Sequence, residues 1–150
     1  MGRRERRHIE RISADHESIS TCLAALESTL AKPLRGTEAT WHRRLRCELR
    51  PLVDCLGQHR AFAEGAGGVF DEIEVAQGHG HELTTARRLH RSAVRQAEEL
   101  FDALGRAVGD LDPDEVRARG RRLGSAIRRH HVLEADLVLL VFDQDTGTGD

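Results

Sequence analysis

The stretch that decides the fold is IERISADHESISTCLAALESTL, residues 9–30. Its apolar and histidine positions recur in alternating steps of three and four residues, which is the seam of a helix that packs against other helices. This seam consists of Ile9, Ile12, His16, Ile19, Leu23, Leu26 and Leu30. Pro33 and Gly36 follow the seam and end the helix. The pattern predicts a first helix from about Arg4 to Ala31, with one histidine among its core positions.

Three further stretches have the same periodicity, and none has the alternation of a β-strand. We expect long helices from after Thr37 to about Glu64, from about Glu82 to Val108, and from Pro113 to about Phe142. A short helical turn is expected at Val69 to Val75, and Asp112 is the expected N-cap of the last helix. Four amphipathic helices with short connections predict an all-α fold, an antiparallel up-down-up-down four-helix bundle.

Each of the other three helices also has a predicted seam that contains one histidine. In the second helix the seam is Trp41, Leu45, Leu49, Leu52, Leu56, His59 and Ala63. In the third helix it is Leu83, Arg87, His90, Val94, Ala97, Phe101, Leu104 and Val108. In the fourth helix it is Val116, Gly120, Leu123, Ile127, His130, Glu134, Leu137 and Val141. Pro51 lies inside the second helix, where we expect it to kink the helix or to disturb its hydrogen bonds.

The four seam histidines are predicted to lie at one height in the bundle. Residues equidistant from the turn of an antiparallel hairpin lie side by side, and each residue adds 1.5 Å of rise. The midpoint of His16 and His59 falls just beyond the first turn, and the midpoint of His90 and His130 falls inside the turn GDLDP. We therefore expect one histidine layer, near the end of the bundle that carries the connection between the second and third helices.

The fourth helix adds a carboxylate to this layer. His130 and Glu134 are four residues apart and share one face of the helix. A carboxylate buried in an apolar core costs several kcal/mol unless it is paired or bound to a metal. Imidazoles and a carboxylate that meet in a bundle core form a site for a transition metal such as iron, manganese or zinc.

These residues resemble the hemerythrin-like domains, also called HHE cation-binding domains, over about residues 10–142. The resemblance is carried by four segments of the chain: DHESI with His16, HRAFAE with His59, RRLHRSA with His90, and HHVLEAD with His130 and Glu134. It implies a non-haem iron centre of one or two ions, often a di-iron centre with bridging carboxylates, and leaves another divalent metal open. It also implies dioxygen or a related diatomic molecule as ligand, and a role in oxygen or redox sensing or in iron handling.

The sequence departs from that family at two places. Ala63 stands where a carboxylate is expected four residues after His59, and Glu64 follows at five residues. The family accepts such a five-residue pair on its last helix, where the corresponding alternative here is His131 with Asp136. The second histidine of the oxygen carriers is missing from the third helix. The predicted metal ligands are His16, His59, Glu64, His90, His130 and Glu134. The alternative interpretation is a metal-free helical interaction module with a degraded site.

Composition excludes several other classes of protein. The formal net charge of −2, the single Trp and the absence of Tyr disfavour nucleic acid as a partner. No run of 18 apolar residues exists, so no membrane association is expected. Three cysteines without a CxxC pair favour the reducing cytoplasm as the location of the protein.

One domain is expected over residues 1–150, with a frayed tail, DQDTGTGD. No set of catalytic residues is predicted. The remaining histidines are expected to face solvent: His8, His42, His79, His81 and His131.

Overall fold

A computed structural model describes residues 2–76, 78–106 and 110–142 of the chain. Over these residues the protein is all-helical, and no strand occurs among them. The helices are α1 (Arg3–Ala31), α2 (Glu38–Glu64), α3 (Val69–Val75), α4 (Gly80–Leu104) and α5 (Pro113–Phe142). The four long helices and the short one are those that the sequence periodicity predicts. The predictions for Val108 and for the tail 143–150 fall outside the described residues.

The four long helices pack together around one core. α1 and α4 each contact both α2 and α5, so the four helices enclose a common interior. The short helix α3 packs across one end of this group and contacts α2, α4 and α5. The connection between α2 and α4 therefore covers one end of the core.

The core consists of two apolar clusters with the histidine layer between them. The larger cluster includes Ile19, Leu23, Leu26, Leu45, Leu49, Leu52, Leu56, Ala93, Leu100, Leu123 and Ile127. The smaller cluster includes Ile12, Ala63, Val69, Phe70, Ile73, Leu83, Ala86, Leu137 and Phe142. In α1, His16 stands between Ile12 of the smaller cluster and Ile19 of the larger one. The layer therefore lies toward the end that α3 covers, as the sequence predicts.

Local polar contacts set where the helices begin. Thr37 caps α2, since its hydroxyl oxygen accepts the backbone N–H of Thr40 at 3.2 Å. The carboxylate of Asp112 accepts the backbone N–H of Glu115 at 2.9 Å at the start of α5, which confirms the predicted N-cap. Gly36, in the turn that joins α1 to α2, has a φ of 77°, a conformation that glycine adopts without strain.

The core face of α4 departs from its predicted seam at three positions, whereas Leu83, His90, Ala97 and Leu104 are buried as predicted. The sequence predicts Arg87, Val94 and Phe101 as core positions, but all three are only partly buried. The structure instead buries the preceding residue in each case: Ala86, Ala93 and Leu100. The small alanine side chains let the neighbouring helices approach, whereas the Phe101 ring lies under the guanidinium of Arg46, 4.2 Å from it. The prediction chose the larger side chains as core positions, but the apolar face of α4 is wide enough to include the residue before each of them.

The described helices also bear on membrane association. None of them combines the length and the apolar character that a membrane span requires.

Pro51 does not end α2. Its side chain is exposed, and the helix continues through it to Glu64.

Candidate metal centre

Four helices each contribute one histidine to a single layer. His16 comes from α1, His59 from α2, His90 from α4 and His130 from α5. The ring centroids of His90 and His130 are 3.8 Å apart, and those of His16 and His59 are 5.2 Å apart. His59 and His90 join the two pairs at 5.2 Å. The predicted convergence of the four rings at one height is therefore confirmed.

Glu134 lies at the centre of this layer and is fully buried. Its Oε1 atom is 2.8 Å from Nε2 of His16 and 2.6 Å from Nε2 of His59. Its Oε2 atom is 2.8 Å from Nε2 of His90 and 3.0 Å from Nε2 of His130. An ionised carboxylate only accepts hydrogen bonds, so each facing nitrogen either donates a proton to it or shares a cation with it. One carboxylate thus gathers an inward nitrogen from every histidine of the layer.

His130 shows that hydrogen bonding alone leaves the layer incomplete. Its Nε2 atom is close to Glu134 but is not aligned for a hydrogen bond, and both ring nitrogens are buried without a hydrogen-bond partner among the described residues. Buried polar atoms of this kind normally have a partner, and an ion is one of the accepted explanations when they do not. The unpaired inward nitrogen of His130 therefore fits a metal-binding role.

Two carboxylates lie beside outer nitrogens of the layer: Asp15 is hydrogen-bonded to its histidine, whereas Glu64 is near its histidine without a hydrogen bond. Asp15 Oδ2 lies 2.9 Å from Nδ1 of His59, and Glu64 Oε1 lies 3.4 Å from Nδ1 of His90. A proton on the outer nitrogen leaves the inward nitrogen with a free lone pair, which is the tautomer that ligates a metal. Metal-bound histidines usually have such a carboxylate behind them. The layer has this hydrogen bond behind His59, and Glu64 lies near the corresponding nitrogen of His90.

Glu64 therefore occupies a different place from the one that its predicted role requires. It faces the outer nitrogen of His90, and its other oxygen accepts a hydrogen bond from Nε of Arg60 at 3.0 Å. Ala63, which stands at the expected carboxylate position, is fully buried in the smaller apolar cluster. The five-residue step from His59 turns Glu64 away from the centre, because each residue adds about 100° around the helix.

The protonation states of the layer follow from burial and from the two carboxylates. Burial lowers the pKa of His130 to about 4, although Glu134 opposes this shift. Burial also disfavours the charged form of His59, but the hydrogen bonds to Glu134 and Asp15 outweigh it and raise the pKa of His59. Burial alone would raise the pKa of Glu134, yet the four histidines hold it well below its usual value. The centre therefore combines a carboxylate with at least one neutral imidazole.

The donor atoms are close enough to share one ion. One ligand atom each from His16, His59, His130 and Glu134 lies within 4.8 Å of all the others. Imidazole and carboxylate ligands of one metal ion stand about 2.0–2.2 Å from it and so at most about 4.4 Å from each other, and small side-chain shifts would bring these donors within that span. His90 approaches the same carboxylate from its other oxygen. The cluster could bind a metal ion, and its donors do not fix which metal.

Aromatic rings close the layer on two sides. Phe70 of α3 stacks on His90 with centroids 5.1 Å apart and an interplanar angle of 6°. His131 stacks on His16 at 3.9 Å and 14°. The side chain of His16 is 16% exposed, whereas those of the other three histidines are at most 3% exposed. The layer is therefore more exposed to solvent at His16 than at its other three histidines.

Three of the histidines that were expected to face solvent are buried or half-buried in the structure. His8 is buried against α3, with Nδ1 3.1 Å from a Glu72 oxygen. His42 is 3% exposed and lies beside Trp41. His131 is half-buried, and burial together with His16 lowers its pKa to about 3. The expectations for His42 and His131 were wrong because the buried faces of α2 and α5 are wider than a strict seam, and that for His8 was wrong because α3 covers it.

The other predicted or overlooked residues are placed as follows. His81 is exposed and His79 is partly buried. Asp136, the alternative partner of His131, is exposed, because two residues beyond Glu134 lie on the opposite face of α5. Asp15 is not among the predicted site residues, although it directly precedes His16 on a helix that faces the core.

Comparisons with known proteins place the chain in no family. No protein-family model matches it, and neither the curated proteins nor the solved structures contain a significant match.

Proposed function

We propose that this protein binds a transition-metal ion in the histidine layer and that the ion is iron. The observation that carries the proposal is the convergence of four ring nitrogens on the fully buried carboxylate of Glu134. Burying a carboxylate costs free energy unless hydrogen bonds, an opposite charge or a metal ion offsets that cost. Among the described residues its partners are histidines, with no arginine or lysine. Four imidazoles and one carboxylate are a donor set that metal ions use.

The number of donors favours iron over zinc. Structural zinc sites are almost always four-coordinate, whereas this layer offers four imidazoles and a carboxylate. Imidazole suits iron, copper, nickel and zinc, and carboxylate oxygen suits the harder ions among the divalent metals. A mixed set with more than four donors fits an ion that accepts five or six ligands. In this proposal one ion is ligated by His16, His59, His130 and Glu134, and His90 is its fifth ligand.

A second ion would need donors that the described residues do not place at the centre. The two oxygens of Glu134 divide the histidines into two pairs, which is the arrangement of a bridging carboxylate. However, Glu64 faces outward and Ala63 carries no donor. We therefore propose one ion, and a measured ratio of two metals per chain would assign the bridging role to Glu134.

The proposed biological role is oxygen or redox sensing, or iron handling, in a hemerythrin-like bundle whose long helices run up, down, up and down. A bound iron ion would supply a redox couple and a coordination position for dioxygen or a related diatomic molecule. The protein's own contribution is to orient the imidazole of His59 through Asp15 and to keep bulk water from three of the four rings. His16 and the stacked His131 form the side from which a small ligand would enter.

The competing proposal is a metal-free interaction module. It is favoured by one observation, that His16, His59 and His90 already find hydrogen bonds to Glu134 without an ion. In that case the layer would be a polar layer that fixes how the helices pack, and no metal would be needed.

The two proposals are separated by the metal content of the purified protein. Protein from iron-supplemented cells should contain iron by elemental analysis and should absorb in the near-ultraviolet or visible range. His130→Ala should lose both signals, and Glu134→Gln, which keeps the volume of the side chain, should lose them too. His81→Ala, which removes an exposed histidine, should keep both. A colourless protein without metal, whose melting temperature ignores added iron, would support the metal-free module.

A further inference from the structure

Two cysteines lie on adjacent helices close to the histidine layer. Cys22 is on α1 and Cys55 on α2, and both are half-buried free thiols packed against the larger apolar cluster. The third cysteine, Cys47, is exposed. Cys22 and Cys55 are separate from the donor atoms of the candidate metal centre.

The contacts between α1 and α2 fix which residues face each other. Thr29 Oγ1 donates a hydrogen bond to Glu48 Oε1 at 2.7 Å. At the other end of the interface, Asp15 Oδ2 lies 2.9 Å from Nδ1 of His59. The residue numbers therefore rise along α1 while those of the facing residues fall along α2.

This register places the two cysteines opposite each other. Cys22 lies seven residues before Thr29, and Cys55 lies seven residues after Glu48. Because seven residues make about two helical turns, the faces that join Thr29 to Glu48 also bring Cys22 to Cys55. Cys22 is also among the groups that raise the pKa of Cys55, as expected for two thiols that face each other across this interface.

We propose that Cys22 and Cys55 are a site of reversible oxidation, at which a peroxide closes an intramolecular disulfide between α1 and α2. Two thiols give up two protons and two electrons, and one S–S bond forms. The O–O bond of hydrogen peroxide breaks and yields two water molecules. A dithiol reductant reverses the reaction by exchange. The site requires no metal, so it stands apart from the proposed function.

The surroundings of the pair determine how fast it reacts. Burial, together with the neighbouring Cys22, raises the pKa of Cys55, so this sulfur is mainly a thiol at neutral pH. Since the thiolate is the nucleophile, the pair should react with peroxide more slowly than an exposed cysteine. Cys47 would therefore be oxidised first and would obscure the result.

The experiment uses the full chain with Cys47→Ser, so that only the proposed pair remains. The protein is incubated with hydrogen peroxide in the presence of a chelator, and its thiols are then counted after unfolding. We expect both thiols to disappear, the mass to fall by about 2 Da, and a cross-linked peptide to contain Cys22 and Cys55. Dithiothreitol should restore both thiols. The oxidised protein should melt roughly 5 °C or more above the reduced one, because the bond restricts the unfolded chain.

Matched controls remove one partner at a time. Cys22→Ser and Cys55→Ser, each combined with Cys47→Ser, should form no internal bond and should gain about 16 or 32 Da as oxygen adds to the lone sulfur. The proposal is overturned if the protein with both cysteines keeps its thiols, gains oxygen on Cys22 or Cys55, or forms only disulfides between two chains; oxygen on Met1 is assigned by peptide mass and does not count. The cross-linked peptide decides the matter even if a double variant does not fold.

Discussion

The larger apolar cluster and the histidine layer occupy the same helices but depend on different physical terms. Leu49 and Leu52 of the cluster and His59 of the layer lie on one face of α2, and all are almost fully buried. Burying a leucine stabilises the fold by about 1.5–3 kcal/mol whichever apolar atoms surround it. Burying His59 is favourable only because Asp15 and Glu134 are placed to meet it. The same spacing thus builds one region that sets stability and another that depends on specific partners.

The largest difference between the two regions is expected when the carboxylate that the four histidines share is removed. Glu134→Ala leaves the four imidazoles of the layer without their common partner, and we expect the retained metal to fall to background. Stability should fall as well, by about 3–5 kcal/mol, because the variant breaks a buried polar network. Elemental analysis and urea unfolding measure the two effects. Undiminished metal content would show that Glu134 is not a ligand.

Leu49→Ala provides the opposite result from the apolar cluster. Leu49 is fully buried, so its truncation leaves a cavity and should reduce the free energy of unfolding by about 2–5 kcal/mol. The metal content per folded chain should stay unchanged, because the residue lies outside the layer. Urea unfolding of the protein after a chelator has removed its metal measures the change in stability, and elemental analysis measures the metal content. Loss of metal from the folded variant would mean that the two regions are not separable.

Asp15→Asn sharpens the comparison within the layer. It removes the charged partner of the outer nitrogen of His59, and such changes typically weaken metal binding about 10- to 100-fold. A competition titration with a chelator measures the affinity. Asp54→Asn is the matched control, since Asp54 is an exposed carboxylate on α2 and its substitution should leave the affinity within about twofold. Equal effects of the two variants would argue against an orienting role for Asp15.

The smallest expected effect is at a helix end, away from both regions. Asp112→Ala removes the N-cap of α5 and should reduce the free energy of unfolding by about 1 kcal/mol, with no change in metal content. Asp114, whose side chain is fully exposed, provides the control, and Asp114→Ala should change stability by less than about 0.5 kcal/mol. A larger loss at Asp114 would contradict the cap assignment.

The helices and the histidine layer could be predicted because one physical rule governs both. Alternating steps of three and four residues fix which face of a helix is buried, and the midpoints of His16 with His59 and of His90 with His130 fix their heights. The spacing of His42 also predicts that it is buried. It precedes Leu45 by three residues and continues the alternation, but the prediction gave that place to the larger Trp41.

What the sequence could not supply depends on contacts between distant parts of the chain. His8 is buried because α3 returns to it and presents Glu72, and no local pattern places a seven-residue helix in space. The direction in which Glu64 points likewise depends on Arg60 and on the outer nitrogen of His90. Periodicity predicts which face is buried, whereas the partners of polar side chains follow from the packing of the helices.

The most direct test of the metal centre is the X-ray absorption spectrum of the protein after anaerobic addition of one equivalent of ferrous iron. We predict tightly bound iron with nitrogen and oxygen ligands at about 2.0–2.2 Å and the outer-shell scattering of several imidazole rings. His130→Ala should reduce the imidazole scattering. A spectrum identical to that of iron in buffer, with no imidazole contribution, would contradict the proposal that the histidine layer holds a metal.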